Sequence, residues 1–125
     1  MSPVRVRRSA LVPGSGGGGQ FRGGLAMERD YEILASVCTV SGYFQQSHPE
    51  TAPWGWAGGA PGGMAGGWLK TADGIEKPLA SKHIGLRLKR GDVIRYRSAG
   101  GGGWGDPAAR APEAAAADRA AGYLA

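Results

Sequence analysis

The chain has 125 residues, with 15 Lys and Arg against 10 Asp and Glu for a formal net charge of +5, which leaves room for one small domain. Its 24 glycines and 8 prolines form about a quarter of the sequence, while Leu, Ile, Val and Phe number only 20, so there is little apolar bulk to bury. A lone cysteine, Cys38, excludes an intramolecular disulfide and a thiolate metal cluster, and no run of about 18 apolar residues is available to span a membrane as a helix.

A glycine and proline content this high is where low-complexity sequence becomes an alternative. Four Trp and four Tyr with a modest net charge argue against disorder. The expectation is a domain that completes its core against other polypeptide.

In chain order, Val4 and Val6 alternate with Arg5 and Arg7 as in a half-buried strand. The first 27 residues carry Arg and Ser but no acid, as a transit peptide does; the strand pattern favours a folded segment, with the cytoplasm as the default location. Leu25, Met27, Tyr31 and Ile33 alternate with Ala26, Glu28, Asp30 and Glu32, which predicts a strand whose apolar residues face inward and whose acids face water. A second short strand is predicted over Val37 to Val40, with Cys38 as a buried structural thiol.

Residues 42–67 read as a long Gly/Pro/Trp loop with Trp54, Trp56 and Met64 as its apolar inner surface. Trp68 to Lys70 and Ile75 to Leu79 flank the turn signal Ala72-Asp73-Gly74. Ile84, Leu86 and Leu88 then alternate with polar residues, and Val93 to Tyr96 follow Arg90-Gly91-Asp92. Together these predict a β-meander. Pro112-Glu113 opens a terminal helix over 112–123, with Ala114 to Ala121 as helix formers and Gly122 as the stop. The fold class is therefore mainly β: a small meander or barrel-like partial domain over 1–125, with long glycine-rich loops and one short C-terminal helix.

Two glycine tracts stand out, Gly14 to Gly19 running into Gln20-Phe21-Arg22-Gly23-Gly24-Leu25, and Gly100 to Gly103 running into Trp104-Gly105-Asp106-Pro107. Both end in aromatic, charged and proline residues, unlike a flexible linker, and glycine is costly to order; they read as tight structural turns. Each formally satisfies Gly-x-Gly-x-x-Gly. A dinucleotide site, however, needs that motif between a strand and a helix, whereas the first tract runs into a strand pattern and the second is broken by Asp106-Pro107. Neither carries a P-loop Gly-Lys-Ser/Thr.

The ordered set of these tracts, Pro53-Trp54-Gly55-Trp56-Ala57-Gly58-Gly59-Ala60-Pro61-Gly62, Gly91-Asp92-Val93-Ile94, and the tail Arg110, Pro112-Glu113, Asp118, Gly122-Tyr123 resembles the C-terminal region of the hydantoinase B / 5-oxoprolinase family, to which the large subunits of acetone and acetophenone carboxylases are related. The resemblance covers about the last quarter of a typical member. It implies a subunit or fragment of an ATP-dependent cyclic-amide hydrolase that contributes structure and interface, not catalytic groups. Its implied partners are a hydantoinase A-type ATPase subunit and a hydantoinase B-type N-terminal portion, with ATP and a divalent metal on those partners and no cofactor on this chain. A non-catalytic scaffold or remnant, and part of a carboxylase-type complex, stay open beside it. The chain departs from the family at Tyr43-Phe44-Gln45-Gln46-Ser47-His48, where members often carry a basic step.

The candidate structural and interface residues are Arg22, Gly23, Gly24, Trp54, Gly55, Gly102, Gly103, Trp104 and Asp106, with no catalytic or metal residue assigned. Arginine's planar five-donor fork suits Arg22 to bonding backbone carbonyls of the glycine loops. His48-Pro49-Glu50 offers two metal-ligand types without an evident third. Asp73, Asp92 and Asp106 sit beside glycines as turn residues. Basic residues at Arg5, Arg7 and Arg8 and at Arg87 to Arg97 read as solvated strand faces or partner contacts, since no nucleic-acid motif accompanies them.

Overall fold

The computed structural model describes residues 2–125. Seven strands are formed, β1 (Val4–Leu11), β2 (Met27–Ile33), β3 (Val37–Tyr43), β4 (Gly66–Lys70), β5 (Glu76–Pro78), β6 (Lys82–Lys89) and β7 (Val93–Arg97), followed by one helix, α1 (Pro112–Ala120). Single 3-10 turns lie at Pro49–Thr51 and Pro107–Ala109.

The architecture is mainly β with one short terminal helix, but the connections are not those of a meander. A five-stranded antiparallel sheet has the order β1-β2-β7-β4-β5, and β6 leaves it to pair with β3 as a separate two-stranded sheet. Both sheets are open at their edges, so no barrel closes. The reason is visible in the pairing: β7 bonds β2 on one side and β4 on the other, which leaves β6 no edge beside its neighbour in sequence.

The two sheets bury a small core between them, Ile33, Leu69, Leu88 and Ile94, with Val4, Cys38, Val40, Leu79, Leu86 and Tyr96 packed against it. Cys38, expected to be buried, lies half-buried against this layer. A register shift between Val40 and Gly42, with Gly85 at φ +66° opposite, places one more residue on β6 than on β3. This bulge breaks the expected alternation. Leu86 and Leu88 still face inward, whereas Ile84 points to solvent and His83 turns toward the core, where its Nε2 lies 2.6 Å from the Tyr96 hydroxyl and the rings stack.

The helix starts with Pro112 in its first turn and Glu113 behind it, an acid at the positive end of the helix dipole. It ends in a Schellman motif, with Gly122 at φ +72°, its N–H donating to the Arg119 carbonyl and the Tyr123 N–H to the Asp118 carbonyl. Asp92 is buried and holds two turns together, accepting from the Ala72 and Lys89 N–H groups at 2.9 Å each.

Candidate functional site

The candidate residues converge on one unusual substructure, a frame of five extended glycine-rich segments around residues 15–19, 21–24, 53–56, 59–63 and 100–105. The last of these is central. Its Gly100 N–H donates to the Gly63 carbonyl, Gly101 donates to Gly24 and accepts from Gly17, Gly103 donates to Ala60 and accepts from Trp56, and Trp104 exchanges both bonds with Phe21. A β-strand has two hydrogen-bonding edges and two side-chain faces; here four other segments close on a single backbone.

Such contact is possible only where side chains are missing. A Cβ on Gly102 would run into the Trp54 carbonyl, on Gly103 into that of Gly18, on Gly55 into that of Gly59, and on Gly23 into that of Gly101, each closer than 3.0 Å. Gly24 differs: a Cβ there would meet nothing within 4 Å. The tracts are thus not chiefly turns, since only Gly14 and Gly105 among them take the left-handed conformation. Their glycines are needed for close approach.

The side chains of the frame stand at its rim. Phe21, Trp54, Trp56 and Trp104 are 62, 75, 67 and 48% exposed, and the Phe21 and Trp104 rings lie 5.8 Å apart. The expected inner apolar lining of 42–67 is therefore turned outward at Trp54 and Trp56. Four large exposed aromatic side chains on one frame, with one ring pair in contact and the Trp56 and Trp104 backbones bridged, make a surface suited to contact with another polypeptide.

Arg22 ties the frame to the terminal helix. Its Nη1 donates to the Gly23 carbonyl at 2.7 Å, its Nε lies 3.2 Å from Asp118 Oδ2, and its guanidinium covers the Tyr123 ring at 5.3 Å. Arg110 reaches the same carboxylate at 2.8 Å and also donates to the Gln20 carbonyl. Burial of Asp118 opposes its charged form, but bonds and charge from Arg22 and Arg110 outweigh it and hold the carboxyl below its ordinary range. Asp106 accepts from the Ala108 N–H at 2.9 Å and starts the 3-10 turn that leads out of the central segment. His48 and Glu50 sit in the other 3-10 turn, and among the described residues no three His, Cys, Asp or Glu side chains are grouped to hold a metal ion.

Sequence reasoning missed the second charged feature. On β2 the apolar alternates face inward only at the far end, where Ile33 is buried and Tyr31 half-buried, while Glu28 and Asp30 on the opposite face are buried as well and Met27 is exposed. Register explains this, since Glu28 lies opposite Arg97 and Asp30 opposite Arg95 on β7. Asp30 accepts a two-pronged bond from Arg95 at 2.7 and 2.9 Å. Glu28 accepts from Arg97 at 2.6 and 2.8 Å and from Arg8 at 2.8 Å. The Arg95 bonds hold Asp30 below the usual carboxylate range. For Glu28, burial pushes the other way and is overcome by Arg97 and Arg8. The signal was present in sequence as alternating arginines at 5, 7, 95 and 97, but only the strand order brings them over β2.

A family model described as Hydantoinase B/oxoprolinase matches residues 1–107. The beta chain of the caprolactamase of Pseudomonas jessenii is 32% identical over 113 residues, covering 86% of this chain and 19% of that protein. The B component of a putative D-/L-hydantoinase from a Pseudomonas species is 30% identical over 98% of this chain and 20% of its own length. An uncharacterized protein of Methanocaldococcus jannaschii is 35% identical over 84% of this chain and 18% of its own. The crystal structure of the ATP-dependent caprolactamase from Pseudomonas jessenii superposes with a TM-score of 0.80 at 28% identity, over 98% of this chain and 21% of that one. A nucleotide-free acetone carboxylase structure superposes at 0.74 with 20% identity over 98% of this chain and 20% of its own, a likeness of fold. The chain spans about a fifth of the length of the relatives it matches. With a family model over more than four-fifths of its residues, and the glycine frame formed by the motifs that suggested the resemblance, the chain belongs to the hydantoinase B/oxoprolinase family.

Proposed function

We propose that this chain is the C-terminal module of an ATP-dependent cyclic-amide hydrolase of the hydantoinase or 5-oxoprolinase type, and that it supplies structure and interface to the assembly. The observation that carries this reading is the aromatic rim. Phe21, Trp54, Trp56 and Trp104 are exposed although the glycine frame beneath them is close-packed and cross-bonded, so they cannot fold inward without breaking it.

In this reading the rim is covered by a hydantoinase B-type N-terminal portion, and a hydantoinase A-type ATPase subunit joins the same complex. ATP and a divalent metal belong to those partners. Arg22, Gly23, Gly24, Trp54, Gly55, Gly102, Gly103, Trp104 and Asp106 act as frame and interface residues, the central glycines by permitting close approach and the two tryptophans by offering contact area. The relatives' names, caprolactamase and hydantoinase, favour hydrolysis of a ring amide over carboxylation, for which the support is a likeness of fold alone.

The test is affinity purification of the tagged chain from its native host, with mass spectrometry and size-exclusion chromatography. Co-elution with both hydantoinase A-type and B-type polypeptides is the expected result. Elution as a free monomer, with neither polypeptide bound, would overturn the reading.

A further inference from the structure

The charged face of the five-stranded sheet carries a trough of about 480 Å³ that is separate from the glycine frame. A volume in this range suits a small ligand. Four cations wall it, Arg7 and Arg8 from β1, Lys70 from β4 and Arg95 from β7, with Trp68 as an apolar wall.

Two features distinguish this from an ordinary solvated sheet face. The first is a β-bulge: the pairing of β1 with β2 shifts register between Val6 and Arg8. Successive residues of a regular strand point to opposite faces, so Arg7 and Arg8 could not both reach the trough. The bulge turns them to the same side, and re-aiming a side chain is what bulges do beside functional sites.

The second is the disposition of charge. The carboxylates facing the trough are Asp30 and Glu76. Asp30 is taken by the two-pronged bond from Arg95, and Arg8 is held by Glu28 from below. Arg7 and Lys70 make no ion pair among the described residues, and Glu76 alone does not balance them. The buried carboxylates thus fix two cations in place while two others remain free to bond a ligand, and the Arg97 guanidinium stacked on Trp68 at 5.0 Å steadies the wall.

We infer that this trough binds a small organic anion through an oxyanion head group, a carboxylate or a phosphate, seated between Arg7 and Lys70 with the rest of the molecule along Trp68. Arginine presents paired donors to such a group and lysine a point charge. The inference does not depend on the proposed role in a hydrolase assembly.

The test titrates the full chain at low salt with succinate and, separately, inorganic phosphate, following the Trp68 indole and Arg7 Nε resonances by NMR. The double variant Arg7→Ala/Lys70→Ala is compared with Arg29→Ala/Lys77→Ala, which removes the same charge from exposed positions on the other face of the sheet. Saturable binding of at least one probe, weakened roughly tenfold or more by the first pair and unchanged by the second, is expected, since hydrogen bonds to charged groups are the stronger class. Arg7→Lys, which retains the charge, recovers part of the loss, and amide dispersion matching the parent shows that the variants are folded. If succinate alone saturates, the head group is a carboxylate; if phosphate alone does, it is a phosphate. Equal weakening by both pairs, or shifts that never saturate with either probe, would overturn the assignment.

Discussion

Replacing Gly102 by Ala adds one methyl group at the middle of the frame. That Cβ would meet the Trp54 carbonyl head-on, with the carbonyl carbon at 2.7 Å and the Gly55 nitrogen at 3.2 Å. Carbon and oxygen that are not bonded to one another sit about 3.3–3.6 Å apart even in their closest favourable contacts, so one segment has to move. The partners are backbone, with no flexible side chain to yield. Overpacking of this kind costs about 1–3 kcal/mol. Displacement also threatens the neighbouring Gly103 N–H to Ala60 and Trp56 N–H to Gly103 bonds, both 2.9 Å, at about 1 kcal/mol each. The total of about 3–5 kcal/mol compares with a whole-domain stability of roughly 5–15 kcal/mol. Gly24→Ala is the control, because a Cβ there meets nothing within 4 Å and the backbone is not left-handed, so lost unfolded-state freedom favours it by up to about 1 kcal/mol. Urea unfolding followed by tryptophan fluorescence measures both. Gly102→Ala within about 0.5 kcal/mol of the parent, or the two variants indistinguishable, would refute the argument that the tract is glycine for packing reasons.

Glu28→Gln should destabilise the chain by about 1–3 kcal/mol in the same assay, a value reduced from the buried-pair range because Arg8, Arg95 and Arg97 are a third to a half exposed. The folded carboxyls of Glu28 and Asp30 lie below their ordinary values near 4, so the unfolded chain binds protons first on acidification. Their contribution is therefore complete above about pH 5 and is lost as pH falls through 4 and below; a thermal midpoint unchanged from pH 6 to 3 would contradict it. Tyr96, raised by burial and by Tyr31, has the opposite sign, and stability drawn from it declines as pH rises past about 10. Arg22→Ala should release the terminal helix, seen as tryptic cleavage at Arg110 and Arg119 accelerated roughly tenfold or more, whereas unchanged cleavage would show that the helix is held by other contacts.

What was legible in the sequence was whatever rests on neighbours in the chain. The first strand from Val4, the Ala72-Asp73-Gly74 turn and the Pro112 to Gly122 helix frame all depend on local chemistry and appear where the pattern put them, although Val6 is exposed because the strand bulges after it. Pairing over long separations was not legible. Glu28 and Asp30 occupy buried positions only because β7, 65 and 69 residues further on, lays Arg95 and Arg97 opposite them; without that register, burying the apolar alternates is the cheaper reading. His83 and Ile84 exchange faces through a bulge whose only local sign was Gly85. The glycine tracts were recognisable as ordered because they end in Phe, Arg, Trp and Asp-Pro, but their role as mutually packed backbones required all five segments at once. Trp54 and Trp56, read as a lining, are a rim for the same reason: the space inside is already filled by glycine backbone.

The claim that this chain completes a hydantoinase B-type polypeptide is tested most directly by reconstitution. The remaining N-terminal portion of a B-type polypeptide would be co-expressed with its A-type ATPase partner, with and without this chain, and with a Trp56→Ala/Trp104→Ala variant of it. Both tryptophans are exposed, so that variant should keep its unfolding free energy in urea within about 1 kcal/mol. One stable complex with ATP-dependent ring-amide hydrolysis is expected when the intact chain is present, and loss of both assembly and activity when it is omitted or when the rim is removed. Full assembly and activity without the chain would contradict that claim.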